Sequence, residues 1–226
     1  MTPKLIVRSA LMVLLVGVFT ATLSAQKVEI YPNAGGFWPD NMNNGNHLRN
    51  EGIYGLKGGV FLDKNVQLEG SLGYINHFEL RNAPNPDNPS FGITSPTVYG
   101  VLYDFNGAWN FGSRQFLNAR VSPYVSLGAG GLTANIRHGT STFIQGGGFV
   151  RDADGNAIPN AARSIVMNDH DTFFTLNYGG GIKAMNLWGP VGLRADVRGR
   201  TLPNFYGETT SWPEITGGIT LTWGER

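Results

Sequence analysis

Arg194, Asp196, Arg198 and Arg200 follow one another at a spacing of two. On a strand that spacing puts all four side chains on one face. The flanking residues Val191, Leu193 and Val197 then occupy the other. The same parity, followed through the other alternating stretches, collects Glu29, Lys57, Glu69, Asp104, Lys183 and Glu214. The set holds five acidic and five basic side chains. Ions of both signs in a narrow space are costly unless paired. Two chemistries fit such a set. One is a structural ion-pair network that fills an interior. The other is a gated path for small solutes, opened when the pairs re-form differently.

Other candidates for chemistry are weaker. His170, beside Asp169 and Asp171 and near Ser164 and Thr172, is the one local grouping of base, acid and hydroxyl. Its spacing matches no nucleophile signature, and these are ordinary loop residues. His47, His77, His138 and His170 all map to one end of the molecule. Their spacing is not that of a metal-ligand set. Asp152-Ala153-Asp154-Gly155-Asn156 is similar to the start of a calcium loop, but the sixth position is Ala157 and no Glu stands at the twelfth. A turn of Asp, Gly and Asn is the simpler reading. No catalytic residue, cofactor or metal is expected.

Eight alternating stretches must position these groups: Lys27–Trp38, Gly52–Leu62, Val66–Phe78, Thr97–Asn110, Val121–Asn135, Thr172–Met185, Val191–Thr201 and Trp212–Trp223. Thr97–Asn110 shows the pattern well. Tyr99, Val101, Tyr103, Phe105, Gly107 and Trp109 take one face, and small or polar residues with Asp104 take the other. Within the eight cores the apolar parity carries no charge. Most stretches are near the ~9–11 residues a tilted strand needs to cross a bilayer. Asp63–Asn65 and Leu187–Pro190 are short connections and Phe111–Arg120 is moderate; Pro39–Glu51, Glu79–Pro96, Ile136–Asp171 and Leu202–Ser211 read as longer polar loops. Short turns at one end and long loops at the other is the layout of an outer-membrane barrel. Trp38, Tyr54, Tyr74 and Tyr99 fall near the long-loop end, and Trp109, Trp188 and Trp223 near the short-turn end, as two interfacial girdles would. In the fifth stretch Leu132 and Ile136 break the rule by falling at the polar parity. A bulge at Gly130-Gly131, or an early end to the embedded segment, would account for them.

Composition agrees. Charged residues are 15% of the 226, against ~25% in soluble domains. Gly is abundant, at 32 residues, and Cys is absent, which excludes a disulfide framework, a thiol nucleophile and a Cys-ligated metal. Lys4 and Arg8 precede an apolar run, Ala10–Phe19, and small residues lead to Ala25-Gln26. This is the pattern of a signal peptide over residues 1–25, with cleavage expected after Ala25 and a barrel domain over 26–226. Without Lys4 and Arg8 there remain 15 basic and 16 acidic residues, so no basic surplus points to nucleic acid.

A soluble barrel would bury its apolar face and present a strongly charged exterior. Here the polar face is mostly Gly, Asn, Ser and Thr, which suits an enclosed lumen better. PYVSLGAGG (Pro123–Gly131), NYGGGIK (Asn177–Lys183) and GGITLTW (Gly217–Trp223) carry a resemblance to the outer-membrane protein β-barrel domain family, the OmpA/OmpX-type eight-stranded barrels. It covers Gln26 to Trp223. Gly218, Leu221 and Trp223 fill the positions of that family's assembly signal, and the chain departs from it in continuing through Gly224-Glu225-Arg226. The resemblance implies the bacterial outer membrane and contact with the insertion machinery, membrane lipid and lipopolysaccharide. The expected fold is therefore all-β: an eight-stranded, antiparallel, up-and-down transmembrane β-barrel, monomeric, preceded by a cleaved signal peptide. The expected role is structural, with long loops presented at the cell surface. A narrow channel for small or apolar solutes and a loop-borne adhesin are the alternatives.

Overall fold

The structure is a computed structural model and describes residues 27–39, 46–78, 80–82, 98–112, 114–116, 119–137, 141–144, 149–159 and 165–224. The predicted signal peptide, Ser164 and His138 lie outside these. Eight long strands make the barrel: β1 (Val28–Phe37), β2 (Glu51–Phe61), β3 (Val66–Ile75), β4 (Val98–Asn110), β5 (Ala119–Ile136), β6 (Asp171–Trp188), β7 (Val191–Phe205) and β8 (Glu208–Trp223). Each pairs antiparallel with its neighbour in sequence, and β1 pairs with β8 to close the sheet. At that seam Val28 lies opposite Trp223 and Phe37 opposite Glu214. Ladder pairing skips Tyr31 and Pro32, and a proline has no N–H to give.

The alternation sets the two surfaces. Leu56, Leu72, Phe105, Leu127, Phe174, Tyr178, Ile182 and Val197 are exposed on the outside. Leu127 is 68% exposed although it sits mid-strand. A contiguous apolar exterior of this kind would be an aggregation surface in water and is the contact surface of a barrel in lipid. Val60 shares the outward parity but is only 9% exposed, set in the sheet between Val28 and Leu68.

Three sequence expectations are corrected. The glycine pair at 130–131 carries no bulge: β5 keeps one register with β4 from Tyr124 to Ile136 and one with β6 from Arg120 to Ala134. Leu132 and Ile136 therefore do point inward, and they are buried there. Leu202–Ser211 is not a long loop. β7 and β8 run on until Tyr206-Gly207, both at positive φ, turn the chain. Finally, the segment from 136 to 171 has strands of its own. Ser141–Ile144 pairs with Ile165–Asn168, and Phe149–Arg151 with Ala157–Pro159. Asn46–Leu48 pairs with Leu80–Asn82, tying the first long connection to the second.

Close approach of backbones explains some of the glycine. A Cβ on Gly218 would sit 2.1 Å from the Pro32 carbonyl oxygen across the seam. On Gly131 it would sit 2.5 Å from the ring of Tyr103, which lies over that glycine on the outer surface.

Candidate functional site: the barrel interior

Arg194 is the centre of the lumen. Its Nη1 and Nη2 donate to the two carboxylate oxygens of Glu69 at 2.7 and 3.0 Å, from β7 across to β3. Nη1 also reaches Glu29 at 3.1 Å, and Nε reaches Asp196 at 2.9 Å. The guanidinium lies between two aromatic rings, 4.8 Å from the centroid of Tyr31 and 4.6 Å from that of Tyr124. The Tyr124 hydroxyl accepts from Arg194 and donates to Asp196. Arg suits this position because its planar fork matches a carboxylate and its faces stack on rings.

Lys183, on β6, is the ladder partner of Arg194. Its ammonium donates to Glu29 at 2.9 Å, to Glu69 at 3.3 Å and to the Gln67 side-chain oxygen. Gln67 and Thr220 each donate to Glu29 at 2.9 Å. Lys57 pairs with Asp196. Arg198 stands 3.6 Å from Glu69 and 3.9 Å from Asp196, close enough for attraction but too far for a hydrogen bond.

A second cluster sits nearer the long-loop end. Arg200 grips Asp104 with Nη1 and Nη2 at 2.6 and 2.9 Å and Glu214 with Nε at 2.6 Å. Ser71 and Thr175 complete it, at 3.0 Å from Asp104 and 3.1 Å from Arg200. All ten ions of the set lie inside, none more than 9% exposed.

Above the ions the lumen turns apolar. Phe37, Ile53, Ile75, Phe78, Val98, Leu102, Leu132, Ala134, Ile136, Leu202, Phe205 and Trp212 are buried together, with Leu48 and Met167. Phe37 packs on Trp212 with ring centroids 5.5 Å apart, and Phe78 meets Phe205 edge-on at 5.9 Å. Trp212 joins the two zones: its indole N–H donates to Glu214 at 2.8 Å. This plug has no counterpart in the sequence expectations. Tyr31, Tyr124 and Gln67 were missed too, although each falls at the parity of the charged set.

The remaining candidates resolve into local structure. Asp169 accepts from the backbone N–H of Ile136 at 2.8 Å, and Asp171 from that of Asn168 at 2.8 Å. His170 is exposed at positive φ beside Asp169. Asp171 also accepts from the Tyr206 hydroxyl at 3.1 Å, and burial beside this carboxylate raises the phenol pKa. These contacts staple a turn to the end of the barrel. Asp152 accepts the backbone N–H groups of Asp154 and Asn156 at 2.9 and 2.8 Å, closing the turn of a small hairpin. Among the described residues no group of three or more His, Asp or Glu is placed to hold a metal ion.

On the exterior Trp38, Tyr54, Tyr74, Trp109, Trp188 and Trp223 are exposed and Tyr99 is half-buried. Tyr74 and Tyr99 form a ring pair, 5.8 Å between centroids. Arg137 stands over Tyr99 and donates to the Tyr74 hydroxyl at 3.0 Å. Trp223 faces outward and Gly218 lies under Pro32 at the seam.

No protein-family model matches the sequence, and no curated protein matches it. Several solved structures are similar in strand layout. The N-terminal β-barrel domain of Pseudomonas aeruginosa OprF is 16% identical, with a TM-score of 0.44 over 87% of this chain and 97% of that one. Neisserial surface protein A is 10% identical, with a TM-score of 0.48 over 88% of this chain and 97% of that one. Ail, the attachment invasion locus protein of Yersinia pestis, is 11% identical, with a TM-score of 0.41 over 89% of this chain and all of that one. These are likenesses; it is the chain's own closed pairing and apolar exterior that make it an eight-stranded, outer-membrane-type β-barrel.

Proposed function

We propose that the chain serves the bacterial outer membrane as a structural barrel that conducts nothing and holds its long connections at the cell surface. One observation carries this reading: from the level of Lys183 and Glu29 to the long-loop end, side chains occupy the lumen. Paired ions fill its middle, and an aromatic and aliphatic plug fills the part nearer the long connections. Eight strands leave room for about this much side chain and no aqueous bore. By the usual orientation, the short turns face the periplasm and the long connections face outward. The exposed apolar residues Ile158 and Val166 lie on the paired segments of the longest connection and give a surface partner something to bind. That feature favours the adhesin reading as the second choice, ahead of a channel.

Lipid and lipopolysaccharide are the constant partners in this reading. The outward aromatic residues at both ends fit the headgroup zones, and Arg137 on its tyrosine pair offers a cation to anionic headgroups at the loop end. Gly218, Leu221 and Trp223 would be what the insertion machinery reads. The test is reconstitution into planar bilayers. The wild-type barrel, checked for heat-modifiable gel migration, should give a silent trace. Discrete conductance steps from the same sample would replace the structural reading by the channel.

A further inference from the structure

At the short-turn mouth the barrel opens into a vestibule of about 750 Å³. Its wall includes Lys27, Lys64 and Arg120, with Asp63 as the one carboxylate among the described lining residues. Among the described residues none of the three cations has a carboxylate within ion-pair distance. The Lys27 ammonium rests on other groups: the Met185 sulfur at 3.6 Å and the face of Phe61, 5.2 Å from the ring centroid. The ring of Phe61 is buried and forms the floor. Lys183, inside the lumen, lies 5.5 Å from the same centroid. Two ammonium groups thus share one ring, but Lys183 has Glu29 and Glu69 as partners and Lys27 has neither within ion-pair reach. Burial, then repulsion from Arg120, lowers the Lys27 pKa. The interior ions balance at five of each sign, so they supply no spare negative charge to the mouth.

A partly enclosed space lined by cations with no carboxylate partner among the described residues attracts an anion. Arg120 adds a planar fork, which suits an anion with several oxygens, and the lysines add point charges. We infer that the short-turn vestibule, through Lys27, Arg120 and Lys64, is a binding site for a phosphate-type oxyanion. The phosphate can come free from the aqueous side or as the headgroup of a phospholipid in the adjoining leaflet; the recognition chemistry is the same.

The full barrel in an uncharged detergent at low salt is titrated with inorganic phosphate, followed by phosphorus NMR line width and by the protein amide resonances of Lys27 and Phe61. A parallel sample is titrated with a short-chain phosphatidylglycerol. Saturable binding is expected in at least one arm. Lys27→Gln or Arg120→Gln should weaken it at least fivefold, and the double variant should abolish it. Arg151→Gln, on the hairpin of the longest connection and far from this mouth, should leave it unchanged. Heat-modifiable migration of each variant shows that the barrel has folded. Binding of free phosphate assigns the site to a solute, and binding of the lipid alone assigns it to a headgroup. No saturable binding in either arm overturns the site, as does binding that survives in the folded double variant.

Discussion

Arg194 and Glu69 meet across the barrel in a two-point bond, Nη1 to Oε1 at 2.7 Å and Nη2 to Oε2 at 3.0 Å. They stand on β7 and β3, so the bond spans the lumen rather than a ladder. Removing one partner leaves an ion in a space that cannot hydrate it.

Glu69→Ala should therefore cost about 3–5 kcal/mol of unfolding free energy, the range for breaking a buried pair. Urea unfolding in micelles, followed by tryptophan fluorescence, measures it. Replacing both residues with apolar ones of similar size should recover most of the loss. A double variant no better than Glu69→Ala would show that the pair is not the unit.

Trp212→Ala removes a large ring from the plug and a donor from Glu214. A loss of about 3–5 kcal/mol is expected from the cavity. Trp212→Phe keeps most of the volume and should lose less. Bilayer recordings on Phe78→Ala combined with Trp212→Ala test the seal itself: intermittent conductance should appear, while either single variant stays silent.

Position on the outer face decides the cost of a charge. Val197→Arg, at mid-strand on β7, should cost about 2–4 kcal/mol in a bilayer, and Trp188→Arg, at the short-turn end, about 0–1 kcal/mol. Folding titrations into vesicles give both numbers. Equal costs would argue against a hydrocarbon band around the middle.

The seam is sensitive to a single methyl group. Gly218→Ala would set a carbon against the Pro32 carbonyl, and overpacking of this kind costs about 1–3 kcal/mol. The heat-modifiable fraction after refolding should fall. Gly107→Ala, where a Cβ meets nothing within 4 Å, should fold as wild type.

Asp152 gives a pH effect confined to one loop. Backbone donation from Asn156, first among several bonds, holds its carboxyl below the usual carboxylate range. The folded value is the lower one, so the bonds strengthen the turn above the ordinary pKa of an aspartate. That support is lost as the pH falls through the folded value. The amide resonances of Asp154 and Asn156 should shift in this window, while Leu127 and Val197 stay in place.

The barrel was legible because parity is a property of the strand itself. Once Tyr103, Phe105 and Trp109 are outside, Asp104 must be inside, whatever the neighbouring strands do. The plug was hidden for the same reason. Leu132 and Ile136 at the inner parity read as a bulge at Gly130-Gly131 or as an early end to the embedded segment, and one strand cannot show that the lumen itself turns apolar. Only pairing does: β4, β5 and β6 stay in step past Gly130. Nor does parity say who meets whom. That Arg200 takes Asp104 and Glu214, while Arg194 takes Glu69, depends on which strands face one another across the lumen.

Glu29, on the first strand, receives bonds from Gln67 on β3, Lys183 on β6, Arg194 on β7 and Thr220 on β8. Most of these donors arrive only when the curling sheet comes full circle. Until then a carboxylate would enter the bilayer undressed, and so would the cations waiting for it. The inner ions thus work as a latch on assembly: a half-rolled sheet is penalised, and the final zip between the first and last strands is made abrupt.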